Sequence, residues 1–209
     1  TRFSPTMTLL LLGAGAFGQF GTMAVIRTTD VSGSFEPLKN ETSVNVEFTY
    51  EGMLVGSFTE EKYIEKKVKE YNADEAGRGD KWAQSWVNDR GERFHPMFVE
   101  LFNDRTSGQP LAGVGKTDAR YTIIVKTLFT EPGYNIGISR MSAYINASIQ
   151  LVESASPSTV VGELQITNCP GGGAMGFDFD TGTRLSEAYA KLGKELGAYL
   201  MKKVWGRKK

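Results

Sequence analysis

From position 44 the chain alternates between two hydrophobic periods. Val44, Val46, Phe48 and Tyr50 interleave with Asn45, Glu47 and Thr49, the period-two pattern of a strand with one wet face. Glu51-Gly52 reads as a turn into a second short strand over 53–58. Thr59 then caps a helix whose first turn carries Glu60 and Glu61, where negative charge suits the helix dipole. Tyr63, Ile64, Val68 and Tyr71 supply its apolar stripe, and it is expected to end near Asn72. A polar, glycine-containing loop over 73–79 leads to Asp80, which reads as the cap of a second helix with Trp82, Trp86 and Val87 on one side. Pro96 suits the first position of a further helix buried through Met97, Phe98, Leu101 and Phe102, so the spacing predicts a bent helical pair over 81–103. Residues 105–117, with Gly108, Pro110, Gly113 and Gly115, read as a long loop.

Three more strands follow. Tyr121, Ile123, Val125 and Thr127 share one face; Ala143, Ile145, Ala147, Ile149 and Leu151 share another; Val160, Gly162, Leu164 and Ile166 complete the set. The short 154–158 connection with Pro157 predicts an antiparallel hairpin between the last two. A closing helix over 183–205 places Leu185, Ala188, Tyr189, Leu192, Leu196, Tyr199, Leu200 and Val204 on one stripe. The expected fold is α+β: a two-layer α/β sandwich with a mainly antiparallel sheet and helices on one face.

Ahead of this pattern, residues 7–24 form an uncharged run with Leu9, Leu10, Leu11 and Leu12 at its centre, Arg2 upstream and Thr22-Met23-Ala24 at its end. That is the layout of a secretory signal peptide cut after Ala24, too short and glycine-rich for a stable membrane span. The expected division is therefore a signal peptide over 1–24 and a single α/β domain over 25–209, periplasmic or secreted, with no stable transmembrane span in the mature chain. Because residue 1 is threonine, the initiator is either upstream or Met7. The same run contains Gly13, Gly15 and Gly18 in the spacing of a dinucleotide-binding turn. That mechanism needs an uninterrupted helix and then a second strand ending in an acid about twenty residues on. Gly21 interrupts the helix and the next acid, Asp30, comes too early, so the leader is the preferred reading.

Composition narrows the chemistry. At 209 residues the chain can bury a core that needs no metal or disulfide staple, and 24 basic residues against 24 acidic ones leave no net field to steer nucleic acid. A single cysteine, Cys169, excludes an internal disulfide, and a single histidine, His95, excludes the common histidine-rich zinc sets. No cofactor and no nucleic-acid partner are expected.

The element order, with Asp118-Ala119-Arg120-Tyr121-Thr122-Ile123-Ile124-Val125, the hairpin strand Ile145-Asn146-Ala147-Ser148-Ile149-Gln150-Leu151-Val152-Glu153 and the closing Ala188-Tyr189-Ala190-Lys191-Leu192-Gly193-Lys194-Glu195-Leu196 helix, resembles bacterial envelope domains. It is similar to the periplasmic α/β module of the curli-secretion lipoprotein and TolB amino-terminal superfamily, over about 44–204. The chain departs from the lipoprotein members in lacking a lipid-bearing cysteine after the leader. The resemblance implies assembly or binding rather than catalysis, and it carries over no site residues.

Several local features qualify as candidate sites. Gly171, Gly172 and Gly173, between the last strand and the last helix, could offer backbone N–H groups to an anion, but no Gly-Lys-Ser or Gly-Lys-Thr ending follows and a flexible connection is the favoured reading. Asp178 and Asp180 evoke a calcium loop, but its closing glutamate is replaced by Tyr189, so capping by Asp180 or Thr181 is favoured. His95 has Asp89, Glu92 and Arg93 close in sequence, which permits a pH-tuned pair, but directly before Pro96 it reads more simply as a helix-boundary residue. Cys169 reads as a partly buried, inert thiol. Trp82 and Trp86 line either a carbohydrate or peptide groove or, more simply, the core. Lys202, Lys203, Arg207, Lys208 and Lys209 make a basic tail that complements the helix dipole.

Two functions follow. The first is a non-catalytic envelope module that binds an envelope protein, a peptide or itself through free sheet edges. The second is a small enzyme, nucleotide-dependent through 13–18 or a hydrolase using Glu131, Asp178 and Asp180.

Overall fold

Hydrophobic alternation at 44–50, 121–127 and 143–151 becomes the centre of one open sheet in the computed structural model, which describes residues 25–135, 139–172 and 180–206. The leader 1–24 with its 13–18 glycine pattern, Gly173 and Asp178 of the candidate loop, and the basic residues Arg207, Lys208 and Lys209 lie outside the described residues. In chain order the elements begin with β1 (Arg27–Gly33), a 3₁₀ turn (Glu36–Asn40), β2 (Ser43–Thr49), β3 (Leu54–Val55) and β4 (Phe58–Thr59). Then come α1 (Glu60–Asp74), α2 (Arg78–Asp89), a π-helical segment (Arg90–Phe94), α3 (His95–Thr106) and β5 (Leu111–Gly113). The rest comprises β6 (Tyr121–Glu131), β7 (Tyr134–Asn135), β8 (Arg140–Met141), β9 (Ala143–Glu153), β10 (Ser156–Gly171) and α4 (Thr181–Lys203).

The sheet runs β1-β10-β9-β6-β2-β5, with β3 attached beside the end of β6 and β7 paired with β8 as a separate ribbon. The β1–β10, β10–β9 and β9–β6 pairs are antiparallel, and β2 joins β6 and β5 in parallel. The architecture is thus α+β, with helices packed against a mostly antiparallel sheet. Val44, Val46, Ile123, Val125, Ile149 and Leu164 have no exposure and form one core with Phe98 and Phe102 of α3 and Leu192, Leu196 and Leu200 of α4. The predicted stripe of α4 is therefore its buried side, and the β9–β10 hairpin forms as expected. Among the described residues, no helix is long and apolar enough to cross a membrane.

Several expectations need correction. β1 was not anticipated, because Arg-Thr-Thr-Asp-Val-Ser-Gly holds a single large apolar residue and no alternation; it forms by hydrogen bonding to β10 while most of its side chains stay exposed. The strand expected over 53–58 is two short strands folded back at Gly56, whose φ of 57° turns the chain. Asp80 does not cap α2. The N-cap is Gly77 in the left-handed conformation, and Asn72 of α1 accepts from the Gly79 N–H at 2.7 Å, so the cap comes from the neighbouring helix. Val87 faces away from the two tryptophans' buried side and is 49% exposed. The bend before Pro96 is a π-helical segment: the His95 N–H bonds the Arg90 carbonyl, and the helical path continues into α3. The loop expected over 105–117 contains the end of α3, a turn with a cis Gln109–Pro110 bond, and β5. Asn103 holds β5 by exchanging bonds with the Ala112 backbone at 2.8 and 3.0 Å. Val160 sits on the exposed outer part of β10 rather than in the core.

Candidate functional site

The α1–α2 hairpin and the start of α4 enclose a cleft of about 220 Å³. One wall is aromatic. Trp82 and Trp86, four residues apart on α2, lie with ring centres 5.6 Å apart, and Tyr71 of α1 meets Trp82 edge-on at 5.6 Å. Trp86 is the buried anchor, its indole N–H donating to Glu60 at 2.6 Å, while Trp82 is half-buried. At the rim, the Arg78 guanidinium lies over the Tyr71 ring at 5.0 Å.

The opposite wall is polar and is held by Arg93. Its guanidinium reaches Asp180 at 2.8 Å and Asp89 at 3.3 Å, and donates to the Thr183 hydroxyl at 2.5 Å. Asp180 caps α4 by accepting from the N–H groups of Gly182 and Thr183. Burial opposes its charge, but the bonds from Thr183 and Arg93 prevail and hold its carboxyl below the ordinary value. Asp89 moves the other way: burial raises its pKa, and the attraction of Arg93 does not fully offset this. Gly182 makes the approach of α4 to Asp89 feasible, since a Cβ there would fall 2.1 Å from Asp89 Oδ2. The i, i+4 spacing of Asp89 and Arg93 was legible in the sequence; their meeting with Asp180 was not, because it depends on the docking of α4.

Behind Trp86 lies a second polar cluster. Glu60 also accepts from Arg90, whose guanidinium sits 3.9 Å over the Tyr50 ring. The Tyr50 hydroxyl bonds His95 Nε2 at 3.1 Å and lies beside Tyr189, whose hydroxyl bonds Thr127 at 2.7 Å. Burial first, then the neighbouring Tyr189, raises the Tyr50 pKa, and burial pushes Tyr189 up to about 12. The void beside this cluster measures about 10 Å³, at the lower limit for one water molecule, so it offers no room for a substrate. His95 is the first residue of α3, the helix boundary favoured from the sequence; its ring stacks on Phe48 at 3.9 Å, and burial, then the Arg90 charge, lowers its pKa to about 4.

The other sequence candidates separate. Gly171 ends β10 against α4, where a Cβ would meet the Arg184 carbonyl oxygen at 1.8 Å, and the Gly172 N–H donates to Glu187 at 2.7 Å. Both are thereby tied to α4. Glu131, at the end of β6, accepts from the Gly133 N–H at 3.1 Å. Cys169 is buried and its thiol is pushed up to about 12, chiefly by burial.

At the far end of the sheet, β1 pairs only with β10 among the described residues. Six of its seven residues are exposed, with Val31 at 51%, and its ladder is interrupted by a bulge between Asp30 and Ser32. Asp30 accepts from the Tyr199 hydroxyl and lies 3.5 Å from Lys203, which pins the strand to the end of α4. The opposite edge, β5, is three residues long.

No family model and no curated protein matches this chain. Among solved structures it is similar to the PelC dodecamer from Paraburkholderia phytofirmans, at 10% identity and a TM-score of 0.35, covering 80% of this chain and 96% of that one. A point variant of the same protein gives 11% identity and a TM-score of 0.35 over 81% and 96% of the two chains. At that overlap neither its assembly nor any residue role transfers.

Proposed function

We propose that this chain is an exported, non-catalytic module of the bacterial cell envelope that binds an envelope protein or peptide, or a second copy of itself, by strand addition at β1. The observation that carries the reading is the outer edge of β1, seven residues long, mostly exposed and without a further strand among the described residues. An edge strand presents a row of backbone donors and acceptors, and an incoming strand satisfies them at once. The bulge at Asp30 limits the flat segment available, which suits a short partner strand better than open-ended stacking. The apolar pattern of 7–24 supports export.

The hydrolase alternative draws less support from its own residues. Glu131 holds a turn and Asp180 is engaged as a helix cap and as a partner of Arg93. Among the described residues, nothing gathers Glu131 and Asp180 around a reacting centre.

Two measurements test the proposal. Intact mass of the protein from native cell fractions should begin at or near Val25 in the periplasmic or extracellular fraction; a cytoplasmic form retaining 13–18 would overturn export. A photo-crosslinking side chain at Val31 should give a discrete adduct in intact envelopes, to a second copy or to one other protein. An equal yield from the same probe at Val87, exposed on α2, would show that β1 is not the binding edge.

A further inference from the structure

We infer that the cleft between α2 and the start of α4 is a binding site for one neutral sugar ring. This site is separate from the β1 edge and stands or falls independently of strand addition.

Four observations converge. First, the cleft is lined both by an aromatic wall, Trp82 with Tyr71, and by hydrogen-bonding groups, Asp89, Asp180 and Ser85. A pyranose has the matching shape: apolar C–H faces that stack on an aromatic ring, and a rim of hydroxyls that donate to carboxylates in strong charge-assisted bonds. Second, the size is restrictive. At about 220 Å³ the cleft falls below the ~300 Å³ at which pockets for drug-sized ligands begin, so it accepts one ring and not a large cofactor.

Third, the charges around the cleft are already engaged. Arg93, behind the lining, pairs with both Asp89 and Asp180, and Arg78 at the rim pairs with Asp74 at 3.7 Å. An anion would meet two carboxylates, and a cation would meet carboxylates that Arg93 already neutralises. A neutral polyol instead finds carboxylate acceptors and the Arg78 donor without an ion to displace. Fourth, the walls are fixed before binding. Glu60 locks the Trp86 indole, Arg93 locks both carboxylates, and Gly182 sets the spacing of α4 from Asp89. Preorganisation of this kind lowers the entropy cost that makes small ligands bind weakly.

The experiment uses saturation-transfer NMR on the full chain, with methyl glucoside, methyl galactoside and N-acetylglucosamine as probes. Tetramethylammonium and inorganic phosphate serve as charged controls. At least one sugar should saturate in the millimolar range. Its affinity should fall about tenfold or more in Trp82→Ala and in Ser85→Arg, and stay unchanged in Trp205→Phe, a substitution away from the cleft. Ser85 is exposed, so Ser85→Arg fills the cleft without disturbing the core and decides the matter even if Trp82→Ala weakens the fold. Absence of saturation by every sugar up to decimolar concentration overturns the assignment. So does sugar binding that survives both cleft variants, or saturation by tetramethylammonium or phosphate with none by the sugars.

Discussion

Gly193 of α4 lies directly on the backbone carbonyl of Phe98 in α3: a Cβ at that glycine would stand 2.1 Å from the oxygen. Gly197, one turn on, leaves room for the Arg105 side chain, whose Cβ would be 2.9 Å from an added Cβ, with the Phe102 carbonyl oxygen at 3.3 Å. The two helices thus pack backbone to backbone over Phe98 and Phe102, both without exposure. Gly193→Ala gains about 1 kcal/mol in helix propensity but forces the helices apart. The net expectation is a loss of about 1–3 kcal/mol, read from the midpoint of urea unfolding. A variant as stable as the parent would show that α3 and α4 separate easily.

Glu60 joins three elements through one carboxylate, accepting from Trp86 of α2 and from Arg90 of the π-helical segment. Its side chain is 17% exposed and that of Arg90 19%. Glu60→Ala leaves two donors and a largely buried guanidinium without their acceptor, and is expected to cost about 2–4 kcal/mol. Glu60→Gln keeps an acceptor for the indole and should cost less. Chemical denaturation of both variants checks the order.

The His95 imidazole titrates at about 4 in the folded chain, because burial, aided by the Arg90 charge, disfavours its protonated form. In the unfolded chain it takes up its proton near pH 6.5. Between these values the unfolded state binds more protons, so this contribution to stability is complete above about pH 6.5 and declines as the pH falls towards 4. His95 is the sole histidine, so its ring resonances can be followed without assignment. A midpoint near 4 is expected; one at or above 6 would contradict the packing against Phe48. In His95→Asn this component of the pH dependence should vanish.

Cys169 is fully enclosed, and its thiol is pushed up to about 12 by burial first and the Glu195 charge second. Thiolate is the reactive form, so Ellman's reagent at pH 8 should leave the native protein unmodified and label one thiol after unfolding in guanidinium. Rapid labelling of the native chain would place the cysteine at the surface.

Much of the fold was legible because the residues that form it obey one period at a time. Ile149 and Leu164 have polar neighbours on both sides, Ile123 and Val125 keep period two around Ile124, and Leu185, Leu192, Leu196 and Leu200 recur at helical spacing. The candidate site was half legible. The pairing of Trp82 with Trp86, and the cap at Asp180, follow from spacing alone; the bridge from Arg93 to Asp180 joins segments about ninety residues apart and has no local signature. Gly171 offered the opposite lesson. Its glycine was read as part of a flexible connection, with an anion loop as the alternative, and in the fold it lets β10 touch the α4 backbone.

The sequence by itself determined the long strands β2, β6, β9 and β10, the existence of the helices and the buried face of α4, since hydrophobic period acts within a few residues. Tertiary structure decided β1, the cap of α2 by Asn72, the cluster around Glu60 and the cleft beside Trp82. Each of these rests on hydrogen bonds or close contacts between distant segments, and such bonds form only once burial of the shared core has brought the segments together.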